Sequence, residues 1–160
     1  MQKFNLTSED KIYIAGFLDG DGCINAQIVP RRDYDTKFQI RVSVTFYQRT
    51  KRKWILQWLQ KRLKCGVIRD RNDGNMSDYT ITGATQVKQL LLELKPWIKL
   101  KKPQTRLLLK IIEHLLPTAP KDPQAFLTLC EMVDPFEQLN DSKKRKYTSD
   151  TVRSVLFGNG

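Results

Sequence analysis

One stretch limits what this chain can become more than any other: Tyr13-Ile14-Ala15-Gly16-Phe17-Leu18-Asp19-Gly20-Asp21-Gly22. It reads as a helix. Thr7 or Ser8 can accept from the free N–H groups of a first turn, and Glu9 and Asp10 suit its positive end. Ile12, Ala15, Gly16 and Asp19 follow i, i+3, i+4, i+7 spacing, so they share one narrow face. Gly16 and Gly20 are a small-xxx-small pair, and a mid-helix glycine costs about 1 kcal/mol relative to alanine. A helix tolerates that loss where another backbone comes very close. Tyr13, Ile14 and Phe17 lie opposite, as anchors in the chain's own core. Asp19 and Asp21 stand at the carboxyl end, where the dipole disfavours an acid by roughly 0.3–1 kcal/mol. A cation reverses that sign. Two such helices packed through their glycines would bring two acidic ends around a divalent metal. A glycine-rich helix end running into a turn is the simpler alternative.

Two hairpins follow. In Cys23 to Val29, Ile24, Ala26 and Ile28 alternate with Asn25, Gln27 and Val29. Pro30 to Lys37 is a polar loop. In Phe38 to Tyr47, Phe38, Ile40, Val42, Val44 and Phe46 point inward, while Gln39, Arg41, Ser43, Thr45 and Tyr47 point outward. That outward face holds no acid. Arginine can grip guanine, amides suit adenine, and a two-stranded ribbon fits the major groove. A solvated sheet face has the same alternation. Gln48 to Lys64 turns helical, with Trp54, Ile55, Trp58, Leu59 and Leu63 as its buried stripe. Arg49, Lys51, Arg52 and Lys53 crowd its start against the dipole, which phosphates nearby would offset. The second hairpin runs from Val67 to Arg71 and from Asp78 to Thr82, through the turn Asn72-Asp73-Gly74-Asn75. Asp78 either braces Arg69 and Arg71, accepts from a cytosine amino group, or forms a surface ion pair worth under about 1 kcal/mol.

Helices are expected from Thr85 to Lys95, from Pro103 past His114, from Pro123 to Val133 behind an Asp122 cap, and from Thr148 or Ser149 onward. His114 reads as structural, because one histidine cannot build a histidine-based nuclease centre. Asn140 to Lys146 is a basic loop feeding a helix start, a suitable phosphate site or simply a solubilising one. The order helix, hairpin, helix, hairpin, helix predicts an α+β fold. It has one antiparallel four-stranded saddle sheet, helices on its back and extra C-terminal helices. One domain is expected over 1–160, with a core of about 8–116 and a helical extension of about 117–160.

Charge narrows the partner. The 160 residues carry a formal charge of +11 and a pI near 9.7, and 40% are apolar. A folded, strongly basic chain of this kind is expected on a polyanion. A basic structural protein of a ribosome or nucleoid shares that balance, but acid-poor hairpin fronts do not suit it. Cys23, Cys65 and Cys130 are odd in number and lack metal-ligand spacing, which suggests a reducing compartment. No apolar run is long enough to cross a membrane. Met1-Gln2-Lys3-Phe4 lacks the pattern of a signal peptide. A strand of eight to nine residues covers roughly 28 Å, about eight base pairs.

Ile14-Ala15-Gly16-Phe17-Leu18-Asp19-Gly20-Asp21-Gly22 resembles the signature of the LAGLIDADG homing endonucleases. The likeness to their single-motif, homodimeric branch runs from about Ile12 to Leu156. It implies the αββαββα fold and a homodimer that cuts both strands of a long pseudo-palindromic DNA, leaving 3′ overhangs. By that resemblance Asp21 and the Gly20 carbonyl bind Mg²⁺, with Mn²⁺ as a substitute. Gln48 and Arg52 are polar pocket residues, and Lys101 is the catalytic lysine. Asn25, Gln27, Val29, Arg31, Arg32, Tyr34, Lys37, Gln39, Arg41, Ser43, Thr45, Arg69, Arg71, Asp78 and Thr80 match base-reading positions. Ser142, Lys143 and Lys146 match backbone contacts, and Ile12, Ala15, Gly16 and Asp19 form the dimer seam. No membrane partner or small-molecule cofactor is implied, and the setting is intron homing in an organelle, the chloroplast first. A longer second turn, and changed residue types at Arg41 and Thr45, keep a family target from being transferred. Some chains of this fold bind without cutting, as RNA maturases or regulators. Asp21, Gln48, Arg52 and Lys101 together argue against that, because binding alone needs none of them.

Overall fold

The computed structural model describes residues 4–158, so the opening Met1-Gln2-Lys3, read above as no signal peptide, lies outside the described residues. Helix α1 (Ser8–Asp21) starts on a reciprocal cap. Asp10 N donates to Thr7 Oγ1 at 3.0 Å, and Thr7 N donates to Asp10 Oδ2 at 3.1 Å. Strand β1 (Gly22–Pro30) follows without a loop and pairs antiparallel with β2 (Phe38–Arg49), Asn25 opposite Ser43. Adding a Cβ to Gly22 would put it 2.6 Å from Leu18 Cδ1, so the direct helix-to-strand step needs glycine there.

A 3-10 turn (Thr50–Arg52) leads into α2 (Trp54–Leu63). Strands β3 (Val67–Asp70) and β4 (Met76–Thr82) make the second hairpin. The sheet order is β1-β2-β4-β3, all antiparallel. Helices α3 (Ala84–Leu94), α4 (Lys102–Leu115), α5 (Pro123–Val133), α6 (Phe136–Leu139) and α7 (Ser149–Phe157) complete the fold. The four-stranded sheet and helical back expected from the sequence are both present. The four-residue α6 was not anticipated; it is too short to carry a periodic signal.

One face of the sheet is packed. Ile24, Ala26, Val44, Phe46, Tyr79 and Ile81 lie against Leu18, Leu56, Leu90, Leu108 and Ile111, all fully buried or nearly so. Phe46 stacks near Tyr79 and meets Phe17 edge to face, at 6.1 and 5.3 Å between centroids. Tyr79 also donates its hydroxyl to the Cys65 carbonyl at 2.7 Å, which satisfies the one polar atom it buries. The three cysteines are unbonded. Burial raises all three thiols above their ordinary value, Cys130 to about 12. Among the described residues no helix is long and apolar enough to cross a membrane.

Two expected burials are corrected. Trp54 is 64% exposed and Leu56 takes its place in the core. The chain stays in β2 through Arg49, so α2 begins later than the charge pattern suggested and its apolar face is turned. In α1 the buried residues are Ile14, Ala15 and Leu18, and the open stripe is Ile12, Tyr13, Gly16 and Gly20. Ala15 therefore belongs to the protomer's own core, fully enclosed, and not to a seam with another copy. Tyr13, expected as an internal anchor, is 54% exposed instead. A narrow alanine fits against the sheet where a tyrosine would not.

Candidate active site and nucleic-acid interface

The two aspartates of α1 differ sharply. Asp19 Oδ2 accepts from Lys99 N at 2.7 Å and Leu100 N at 3.2 Å, and its Oδ1 accepts from Lys101 N at 3.1 Å. The carboxylate thus caps the turn that opens α4, with every contact inside the protomer. Asp19, expected at the dimer seam, is half-buried and commits both carboxylate oxygens to this turn. Asp21, two residues on, is exposed and makes no hydrogen bond or ion pair among the described residues. It is a free acid at the negative end of a helix.

Lys101 reaches the same place from the position just before α4. Its Nζ donates to the Asp19 carbonyl at 2.6 Å, which anchors the ammonium at the foot of α1. Gln48 and Arg52 come from the end of β2 and the 3-10 turn. Arg52 Nε donates to Gln48 Oε1 at 3.1 Å, and Arg49 N donates to the same oxygen at 2.9 Å. A groove of about 500 Å³ runs from the glycine stripe of α1 to Gln48 and Arg52, lined by Gly16, Gly20, Asp21 and Trp54 among others. A Cβ built on Gly16 or Gly20 would meet nothing within 4 Å. The protomer itself therefore does not require either glycine. Among the described residues no three acids, histidines or cysteines cluster as a metal cage. A hard cation here has one free carboxylate and the exposed end of α1 to bind, which suits an ion completed from outside the chain.

The outward face of the sheet carries the expected readers in varied states. Gln27 and Arg41 are exposed neighbours across β1 and β2, and Val29 pairs with Gln39. Arg31 is tied to the loop: Nη1 donates to Gln39 Oε1 at 2.9 Å, two nitrogens meet Asp33, and the guanidinium lies 4.4 Å from the Tyr34 ring centre. The hydrogen bond with Asp33 raises the Arg31 pKa and lowers that of Asp33. Arg32 and Lys37 are exposed on the same loop, and Ser43 is half-buried. Thr45 is only 8% exposed, and its hydroxyl pairs across the strands with that of Thr80 at 3.1 Å. Asp78 faces Arg69 across β3 and β4 but pairs with Arg71, at 3.6 Å; Arg71 also lies 5.2 Å from the Tyr47 ring. Ser142, Lys143 and Lys146 are exposed in the loop before α7.

Sequence reasoning missed two residues of that loop region. Asn140 and Arg145 fold back onto β1 and bond Asn25. Only the folded path of the loop brings them there, more than a hundred residues along the chain, so no local pattern announces them.

The structure thus brings a free acid and a fixed lysine to the foot of a glycine-faced helix, beside a sheet with an open polar face. The LAGLIDADG endonuclease profile matches residues 14–106. The chain is 45% identical to the DNA endonuclease I-CreI of Chlamydomonas reinhardtii over 154 residues, 96% of this chain and 91% of that protein. It is 44% identical to the DNA endonuclease I-CvuI of Chlorella vulgaris over 157 residues, 98% and 96% of the two chains. A crystal structure of I-CvuI in complex with the I-CreI target superimposes with a TM-score of 0.85, covering 92% of each chain at 44% identity. The archaeal intron-encoded homing endonuclease I-Vdi141I shares the fold at a TM-score of 0.80 and 18% identity, covering 92% of this chain and 94% of its own. This chain belongs to the LAGLIDADG endonuclease family.

Proposed function

We propose that the chain is a site-specific homing endonuclease that acts as a homodimer and hydrolyses both strands of a long, near-palindromic DNA with Mg²⁺, Mn²⁺ substituting. The supporting observation is the pairing of an unneeded glycine stripe with a free Asp21 at its end. Ile12, Tyr13 and Trp54, exposed around that stripe, supply the apolar surface a second copy would cover. Two copies would bring two Asp21 carboxylates together.

An ion held by Asp21 and the Gly20 carbonyl supplies Lewis-acid polarisation of the scissile phosphate when bound. Lys101 stabilises the charge that gathers on the phosphoryl oxygens during attack, or assists the proton transfer. Gln48 and Arg52, locked to each other, order the attacking water. Water adds at phosphorus as the 3′ oxygen leaves and takes up a proton, and staggered cuts leave 3′ overhangs. The outward sheet faces read base edges, and Ser142, Lys143 and Lys146 hold the phosphate backbone. Intron homing in an organelle, the chloroplast first, is the setting that goes with this reading, and relatives from two algae support it.

The test is to incubate the protein with Mg²⁺ and a randomised duplex library and sequence the broken ends. One long near-palindromic sequence, cut in both strands, is the expected product. Selective retention of duplexes without cutting would establish the binding-only alternative instead.

A further inference from the structure

The side-chain carbonyl of Asn25 is taken from within the protomer. Arg145 Nη2 donates to Asn25 Oδ1, and Arg145 Nη1 donates to the Ala26 carbonyl. Asn140 Nδ2 donates to the same Asn25 oxygen at 3.2 Å and to the Ile24 carbonyl at 3.0 Å. Asn140 is oriented from behind in turn. Gln104, 8% exposed on α4, donates its Nε2 to the Leu139 carbonyl at 2.8 Å and to Asn140 Oδ1 at 3.3 Å.

The direction of this relay is fixed at each link. Backbone carbonyls only accept, so Gln104 must present nitrogen to Leu139 and Asn140 must present nitrogen to Ile24. A guanidinium only donates. An inverted Asn25 amide would set its amino group against two donors. Asn25 therefore keeps oxygen inward, and its amino group has no partner among the described residues. It stands half-buried on the outward face, opposite Ser43.

A free asparagine suits adenine, accepting from N6 while donating to N7. Asn25 lacks the first half of that grip. Guanine offers two acceptors, O6 and N7, and adenine sets its own amino group against the incoming donor. We propose that Arg145 and Asn140 are positioning residues for specificity, holding Asn25 as a donor-only reader that selects guanine over adenine at one base pair in each half of the target. This rests on the reading of the sheet as a DNA surface.

The experiment measures binding of the full-length protein to duplexes that vary one base pair at a time across its selected target. Wild type is expected to prefer guanine about tenfold over adenine at one pair per half-site. Asn25→Ala should erase the preference at that pair alone. Arg145→Met should bring guanine and adenine within about twofold there, Arg145→Lys should keep most of the preference, and Asn140→Ala should fall between. Melting temperature is recorded for each. A lowered melting temperature with an unchanged base profile in both Arg145→Met and Asn140→Ala would reduce them to docking residues and overturn the inference. So would a wild-type preference for adenine at the pair Asn25 reads. If the wild type shows no preference at any pair, the DNA reading itself has failed, which is visible before any variant is made.

Discussion

At the residue scale, Asp19 and Asp21 are the same acid on the same helix, separated by what surrounds them. Three backbone N–H groups satisfy Asp19, while Asp21 meets nothing among the described residues. Asp21→Asn is expected to abolish cleavage while leaving DNA binding within about tenfold, because the groups proposed to hold DNA are elsewhere. Undiminished cutting by that variant would refute the metal site. Lys101→Ala is expected to slow cutting by orders of magnitude, about 10²-fold or more, as loss of a charge-stabilising donor does; a twofold loss would count against its role. Cys130 carries a pH signature. Its ordinary thiol value is 9.0, and burial pushes it to about 12 in the folded protein. Between those values the unfolded chain has lost a proton that the folded chain keeps, so stability falls as pH rises through that window. Cys130→Ala should flatten the decline in melting temperature between pH 9 and 11 relative to wild type, measured by circular dichroism.

At the element scale, the seam proposed on α1 separates folding from assembly. Gly16 has open space around it in the protomer. Gly16→Ala should leave the protomer as stable or raise its stability by up to about 1 kcal/mol, yet weaken association. Gly16→Leu should keep native circular dichroism and remove both dimerisation and cleavage. A dimer that survives Gly16→Leu would place the seam elsewhere. Much of this was legible in the chain. Period-two alternation gave both hairpins and their inward residues, since a sheet buried on one face demands it. The Asp122 cap and Pro123 marked the start of α5. What failed was rotation about an axis. The stripe through Ile12, Ala15, Gly16 and Asp19 lies next to the open one, and spacing alone does not say which of two adjacent small-residue stripes meets the sheet. Trp54 failed similarly: apolar character argues for burial, but an exposed tryptophan beside a glycine groove has the same composition as a buried one. The Asn25 relay was beyond reach because it depends on where a loop returns.

At the scale of the whole molecule, a charge of +11 and a sheet with one bare polar face describe a surface for a polyanion. Binding that depends on phosphate neutralisation must weaken as salt rises, with log affinity falling linearly in log salt. Each chain supplies one glycine-faced α1 ending in Asp21, and the proposed site requires two. The decisive measurement is the mass of the protein on its selected duplex by sedimentation, with Ca²⁺ in place of Mg²⁺. Two copies of the 18.7 kDa chain per duplex are expected, reduced to one or none by Gly16→Leu. A single copy bound to the full target, with Asp21 still essential for cutting, would contradict the proposed homodimer.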